Sequence, residues 1–231
     1  MSQPKLRVAI TGGTSGLGLA VVRQFAREGA EVAFIARDAE RVARVAAEVP
    51  QAHGIAGDVA AKDDIHPIAL QVTGRLGGLD VLINNASSLG PTPLALLADT
   101  DCEDLEAALA TNLVGPFRLT KALLGALAGA ARETGGAVVL NISSDAAVNA
   151  YETWGAYGAS KAGLAHLSRI WDAELAGEGV RVLSLDPGDM DTPLHAASIP
   201  DADPSELQRP EDAAAGVIAA IRAALPQGAF A

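Results

Sequence analysis

The sequence predicts a doubly wound α/β fold, in which a mainly parallel sheet carries helices on both faces within one domain, residues 1–231. Three observations predict it. Short apolar runs alternate with stretches of helical periodicity along the whole chain, the signature of right-handed β-α-β crossovers. The first forty residues read as strand, small-residue loop, helix and strand. Non-periodic polar residues follow the apolar runs, at the carboxyl ends of the expected strands, where open α/β sheets seat their ligands. These are the glycine loop, Arg37, Asp58, Asn84, Ser143, Ser144, Pro187 and Gly188.

Each element has its own warrant. Leu6 to Ile10 is the first strand, and Thr11-Gly12-Gly13-Thr14-Ser15-Gly16-Leu17-Gly18 is the loop after it. A helix runs on to about Glu28, Gly29 ends it, and Glu31 to Ala36 is the second strand. Ala39 to Val49 is helical and Pro50 closes it. A short strand at His53 to Ile55 leads to Gly57-Asp58-Val59, and helical periodicity resumes from Lys62 to about Gly74. Leu79 to Ile83 is a buried strand ending in Asn84-Asn85-Ala86-Ser87. Pro91 and Pro93 mark a loop. Leu105 to Ala131 is one long helix or two abutting ones, with Pro116 as the break or kink. Ala137 to Ile142 is the fifth strand, Trp154 to Leu175 a helix with Leu164, Leu167, Trp171 and Leu175 on one face, and Val180 to Leu185 the sixth strand. Asp189 to Pro210 is a polar, proline-punctuated loop, and Glu211 to Leu225 is the last helix.

Composition narrows the function classes. An apolar fraction of 49% and a charged fraction of 19% describe a globular chain. Aromatics are only 3%, so the core is built from Ala, Val, Leu and Ile. A net charge of −11 and a pI near 4.7 argue against nucleic-acid partners. Cys102 is the single cysteine, which leaves no disulfide framework and fits a reducing compartment. No apolar run is long enough to span a bilayer, and Lys5 and Arg7 lead into a fold element rather than a signal peptide, so a cytoplasmic location is expected. No metal site is expected.

The first loop carries the chemistry. Glycine takes positive φ without strain and admits close approach of a backbone or ligand. The following helix presents free N–H groups and a partial positive charge, so the turn suits a pyrophosphate. A tight turn with no ligand is the alternative for the loop alone, but strand, loop, helix and strand together are the context that dinucleotide binding requires. The spacing is Thr-Gly-x-x-x-Gly-x-Gly, with glycines at Gly12, Gly16 and Gly18.

Further motifs follow in order. Asn84-Asn85-Ala86 ends the fourth strand, Thr111-Asn112-Leu113-Val114-Gly115 lies in the next helix, and Asn141-Ile142-Ser143-Ser144 ends the fifth strand. Tyr157-Gly158-Ala159-Ser160-Lys161 lies near the start of a helix, 13 residues after Ser144, and Pro187-Gly188 with Thr192 follows the sixth strand. From Val8 to about Thr192 this set resembles the short-chain dehydrogenase/reductase family of the classical type. The resemblance implies a Rossmann-type, NAD(P)-binding domain that interconverts a small-molecule carbonyl and a secondary alcohol by hydride transfer.

It also implies roles. Asn112, Ser144, Tyr157 and Lys161 match the catalytic positions. Tyrosine titrates near 10, and a cation one helical turn away favours its phenolate, a task Lys161 is placed to perform. Lys161 is further expected to hydrogen-bond the nicotinamide ribose, Ser144 the substrate oxygen, and Asn112 a water that links Lys161 to solvent. Ser143 is the rival for Ser144, but strand alternation turns it to the opposite face. Gly12, Thr14, Ser15, Gly16, Leu17, Gly18, Arg37, Asp58, Val59, Asn85, Ala86, Pro187, Gly188 and Thr192, with Tyr157 and Lys161, are the cofactor-binding positions. Within that set Asp58 is assigned to the adenine amino group and Val59 to the ring, with a helix N-cap as the plain alternative for Asp58.

Cofactor choice is read at the second strand's end. An acidic residue there selects NAD(H). This chain has Ala36 in that slot and then Arg37, whose guanidinium can fork onto a 2′-phosphate, so NADP(H) is favoured and NAD(H) is the alternative. Asp38 is expected to point away. Ser15 stands where some NADP-specific members carry a second basic residue, and Ser87 replaces the glycine that commonly completes Asn-Asn-Ala. The substrate loop, at about 189–210, has no basic cluster for a phosphorylated or carrier-bound substrate. The chain stops at Ala231, just after Gly228, where the family adds a strand that often forms the oligomer; a homo-oligomer, dimer or tetramer, is expected with its size left open. The rival function is a catalytically silent NAD(P)-sensing protein on the same scaffold.

Overall fold

Six short β-branched and aliphatic runs pair into one parallel sheet in the computed structural model, which describes residues 4–227. The strands are β1 (Arg7–Thr11), β2 (Glu31–Ala36), β3 (Ala52–Ala56), β4 (Val81–Asn84), β5 (Ala137–Ile142) and β6 (Val180–Leu185), in the spatial order β3-β2-β1-β4-β5-β6. The chain winds outward from β1 to β3 and then returns to lay β4 beside β1. The crevice at that reversal is where such sheets hold ligands. Gly228 and Ala231, and the expectation attached to the chain end, lie outside the described residues.

Strand alternation divides the core into two layers. Val8, Ile10, Val32, Phe34, Val81, Ile83, Val138 and Leu140 face α1 (Gly16–Arg27), α2 (Ala39–Glu48) and α8 (Pro210–Ala224). Ala9, Ala33, Ile35, Leu82 and Val139 face α3 (Ile65–Leu76), α5 (Gly115–Thr134) and α6 (Gly155–Leu175). Small and branched residues suffice because a sheet covered on both faces needs continuous apolar runs rather than alternation with polar residues. Asp80, fully buried, ties β4 to β1: its carboxylate accepts from Arg7 N at 2.8 Å, Nε at 2.9 Å and Nη2 at 2.9 Å.

Several expected bounds move. β1 is shifted one residue toward Thr11, β3 is longer, and β4 begins at Val81, although Asp80 just before it still bonds Arg7 O and Val138 N through its backbone. The helix expected from Lys62 opens with a 3₁₀ turn and continues as α3 to Leu76; Gly77, at φ +69°, closes it rather than Gly74. The long helix expected over Leu105–Ala131 extends from Cys102 to Thr134. It comprises α4 (Cys102–Leu109), a π-helical turn (Ala110–Val114) and α5. Pro116 sits just after that turn. It lacks the N–H that an α-helix would bring to the Asn112 carbonyl, and Gly115 N–H bonds back to Ala110 O instead. The segment 189–210 is not one loop. It contains α7 (Pro193–Ser198), a 3₁₀ turn (Pro204–Glu206) and a parallel bridge between Met190 and Gln208.

Candidate active site

The two loops flanking the sheet reversal are stitched together. Thr11 Oγ1 accepts from Asn85 N and Ala86 N, both at 3.0 Å, and Asn85 Nδ2 donates to Thr11 O at 2.9 Å. Gly12 holds φ +72°, and a Cβ there would lie 2.8 Å from Asn85 Nδ2. A Cβ on Gly18 would run into the Gly12 carbonyl oxygen. Ser15 is the N-cap of α1, but its side chain makes no capping bond, so the N-terminal N–H groups of Gly16, Leu17 and Gly18 are not covered by it. Thr14, Ser15, Gly16, Leu17 and Gly18 line a cleft of about 590 Å³. It runs along the carboxyl edge of the sheet and is of ordinary ligand-site size.

At one end of this cleft stand Ala36, Arg37, Asp58 and Val59. Arg37 is exposed, and among the described residues no carboxylate pairs with it. Asp38 lines the cleft too, but its Oδ1 is engaged as the cap of α2, accepting from Glu40 N and Arg41 N at 3.0 Å. Arg41, in the first turn of α2, also lines the cleft and is held by Asp38 at 3.2 Å. The sequence reading missed Arg41; its place in the first turn of the helix that starts beside Arg37 was the available signal. Asp58 does not cap a helix. Its Oδ1 accepts from Ala60 N at 2.9 Å while its own N–H bonds Asp64 Oδ2 at 2.8 Å. A Cβ on Gly115 would lie 2.7 Å from Val59 O, so only glycine lets the long helix approach this turn.

At the other end stand Ser143, Ser144, Trp154, Tyr157 and Lys161. Lys161 is 2% exposed and donates from Nζ to Ile142 O at 2.8 Å. Its Nζ is 5.5 Å from the Tyr157 ring centroid. Burial pushes the Lys161 ammonium down to about 8, against the pull of Asp186. Burial pushes the Tyr157 hydroxyl up, and the nearby Ser144 and Ser87 hydroxyls oppose it. The expectation that Lys161 lowers Tyr157 is not met in this state of the site: burial is the largest influence on each group and drives each toward its neutral form. Ser144, not Ser143, is the serine whose hydroxyl acts on Tyr157.

Asn112 is 1% exposed in the π-helical turn. Its Oδ1 accepts from Ser88 N at 2.8 Å and Ser87 Oγ at 3.2 Å, and its Nδ2 donates to Ser88 O at 2.7 Å and Ser160 Oγ at 2.8 Å. Those four bonds exhaust an amide side chain. The expected water therefore has no place on the Asn112 side chain, which instead anchors the loop after β4. Ser87 and Ser88 thus matter more than the sequence suggested: Ser87 touches both Asn112 and the Tyr157 environment.

Trp154 closes the site, with its ring 5.7 Å from Tyr157 and 6.3 Å from Tyr151, both edge-on. It is preceded by Thr153 at φ +71°, a strained conformation for a β-branched residue. Gly188 takes φ +77°, and Gln208 Nε2 binds Pro187 O, which draws the segment after β6 back over the cleft. Thr192 caps α7 by accepting His195 N–H at 3.2 Å, and its methyl lies 3.0 Å from where a Gly16 Cβ would be. Among the described residues no group of His, Cys, Asp and Glu could hold a metal, and no helix is long and apolar enough to cross a membrane. The side-chain-free glycine cradle, the helix N-terminus without a side-chain cap and the two arginines at the far end fit a dinucleotide.

Comparison with known proteins agrees. Residues 7–203 match the family described as short chain dehydrogenase. The chain is 37% identical over 187 residues to the serine 3-dehydrogenase of Agrobacterium fabrum, covering 80% of this chain and 72% of that protein. It superposes on the 3-ketoacyl-(acyl-carrier-protein) reductase from Brucella melitensis complexed with NADH, with a TM-score of 0.87 at 25% identity, over 99% of this chain and 94% of that one. It superposes likewise on the alcohol dehydrogenase from the archaeon Thermococcus sibiricus complexed with 5-hydroxy-NADP, with a TM-score of 0.84 at 27% identity, over 98% and 94%. The ordered motifs, the strand order and the family match converge on one conclusion: the chain belongs to the short-chain dehydrogenase family.

Proposed function

We propose that this protein is an NADP(H)-dependent oxidoreductase that interconverts a small carbonyl and its secondary alcohol, with Tyr157 as general acid and base. The observation that carries the reading is the meeting of Ser144, Tyr157 and Lys161 at one end of a cleft whose other end is the glycine loop and Arg37. The glycine loop and the start of α1 would hold the pyrophosphate, Arg37 the 2′-phosphate, Asp58 and Val59 the adenine, and Asn85, Ala86, Pro187, Gly188 and Thr192 the nicotinamide end. The bound cofactor supplies or accepts a hydride.

The chain's own groups handle the proton. With its hydroxyl pushed up, Tyr157 stays protonated at neutral pH and can give its Oη proton to a carbonyl oxygen as charge develops there. Ser144 adds a second contact to that oxygen. Lys161, held near 8, carries a proton close to neutrality and supports the phenolate once it forms. A relay from Lys161 would use the Asn112 backbone carbonyl, which Pro116 deprives of its usual helical donor.

The segment 189–210 is the proposed substrate loop. The catalytic half of the cleft is lined by Asp145, Asp186 and Asp189, and among the described residues no lysine or arginine besides the buried Lys161 lines it. Neutral or cationic carbonyls suit that lining better than phosphorylated or carrier-bound ones.

The experiment is NADPH-dependent turnover on a panel of ketones and aldehydes, with Tyr157→Phe as the control. Wild type should turn over, and Tyr157→Phe should lose activity by roughly two to four orders of magnitude with NADPH binding intact. Near-normal turnover in that variant, with chemistry rate-limiting, would remove Tyr157 from its role. Cofactor binding with no turnover across the panel would favour a silent sensor instead.

A further inference from the structure

The turn after β5 holds a chain of polar contacts that the proposed reaction leaves unused. Asp145 directly follows Ser144 and lines the same cleft. Its Oδ1 lies 3.1 Å from Ser144 Oγ. Its Oδ2 accepts the Tyr151 hydroxyl at 2.6 Å, and Asn149 Nδ2 donates to that hydroxyl oxygen at 3.3 Å. Tyr151 in turn packs edge-on against Trp154. The carboxylate is thus tethered to the wall of the site. The Tyr151 bond above all, with the Ser144 hydroxyl and the Ala146 N–H, holds the Asp145 carboxyl below its ordinary range, so it is ionised at neutral pH.

Counting protons fixes the direction of these bonds. An ionised carboxylate can only accept, so the contact with Asp145 uses the one proton of Ser144. Ser144 Oγ also accepts Ala146 N–H at 3.2 Å. A hydroxyl has one proton and two lone pairs, so the bond to Asp145 competes for the proton that Ser144 could otherwise turn toward the Tyr157 oxygen; while that bond stands, Ser144 keeps one lone pair and no proton for the cleft. An alcohol can give its proton to that lone pair while its oxygen takes the Tyr157 hydroxyl. A ketone oxygen has no proton to give. It receives the Tyr157 bond alone unless Ser144 lets go of Asp145.

We propose that Asp145 is a positioning residue that draws the Ser144 proton away from the cleft, so that Ser144 meets a bound alcohol as acceptor and must break its bond to Asp145 to meet a ketone. The proposal rests on the placement of Ser144 at the substrate oxygen. The reaction's equilibrium constant is set by the reactants. With cofactor binding unchanged, a substitution at Asp145 therefore alters kcat/KM equally in both directions. The discriminating quantity is the ratio of KM for ketone to KM for alcohol.

The probes are cyclohexanone and cyclohexanol at saturating cofactor. Asp145→Ala frees the Ser144 proton, and the ketone-to-alcohol KM ratio should fall by about three- to tenfold, the effect of one hydrogen bond. Asp145→Asn keeps an acceptor oxygen in place and should stay within about twofold of wild type. In a Ser144→Ala background, Asp145→Ala should no longer move the ratio, because the effect runs through Ser144. An unmoved ratio in Asp145→Ala, or an equal fall with Ser144 already removed, overturns the proposal. Tyr151→Phe removes the tether and keeps the carboxylate. It should move the ratio the same way by a smaller factor, and if Asp145→Ala does not fold, an unmoved ratio in Tyr151→Phe overturns the proposal instead. Unchanged turnover in Ser144→Ala alone would mark the other failure: the serine assignment would fall, and this proposal with it.

Discussion

Replacing Lys161 with methionine should destroy activity and raise stability. Lys161 is 2% exposed, and burial takes its ammonium from the ordinary 10.5 to about 8. A shift of that size corresponds to roughly 3 kcal/mol of folding free energy lost when the group is charged. Methionine fills nearly the same space without a charge, but it abandons the bond to Ile142 O, which offsets about 1 kcal/mol. The net gain of Lys161→Met at pH 7 is therefore roughly 2 kcal/mol, or about 4–8 °C in Tm for a chain of this size. The sign with pH follows from the folded value lying below the unfolded one. Below about 8 both states of the wild type hold the proton and the full penalty is present. Between about 8 and 10.5 the unfolded chain binds a proton that the folded chain has released, so wild-type stability rises with pH relative to the variant. Above 10.5 the penalty is gone. Thermal melts of both proteins without cofactor, from about pH 6 to about pH 10, read this directly. A variant less stable than wild type at neutral pH, or a gap that does not narrow as pH rises, would refute the reasoning.

Other substitutions test separate parts. Asp80→Ala removes a fully buried carboxylate that holds Arg7 through three bonds, and should lower stability by about 3 kcal/mol, seen as a Tm fall of roughly 6–12 °C. Its specific activity when folded should be unchanged. Arg37→Ala should weaken NADPH binding by about ten- to a hundredfold and leave NADH almost unaffected, while Ala36→Asp should turn the preference toward NADH; titration of both cofactors decides, and equal losses for both would make Arg37 a structural residue. Asn112→Ala breaks the four hydrogen bonds of a buried side chain and should cost about 2–4 kcal/mol in a denaturant titration, together with a loss of turnover as the Ser87–Ser88 loop is released.

Where residues act through backbone pattern, the sequence was a sufficient guide. All six strands and their parallel sheet follow from alternating periodicities and the crossover rule, and β2, β5 and β6 have the expected bounds. The glycine loop was legible because only glycine tolerates the φ values at Gly12 and Gly16 and the close approach at Gly18. Contacts distant in sequence were not legible. Nothing local marks Ser88, 24 residues before Asn112, as its partner, or Asp80, 73 residues after Arg7. The helix within 189–210 was hidden because six residues give too short a periodic signal, although Thr192 followed by Pro193 is a cap-and-start pair that could have revealed it.

The reversal at Tyr157 follows from the same distinction. Spacing places Lys161 one turn from Tyr157, and that spacing alone suggests a lysine that lowers the tyrosine. Burial is a tertiary property, and it acts on both residues at once. It raises the tyrosine, lowers the lysine and moves each toward its neutral form. A site in which Tyr157 keeps its proton while Lys161 sits near neutrality is prepared to donate to a carbonyl oxygen. Removing a proton from an alcohol demands more: Tyr157 must first become a phenolate, which the low-dielectric wall of Trp154 and the sheet opposes. In the proposal above, the proton of Ser144, turned toward Asp145, would pull the other way by favouring a bound alcohol in the ground state. On the proposed assignments Tyr157 would set the ease of proton donation and Asp145 the ligand held before it, so substitutions at the two positions should separate kcat from KM.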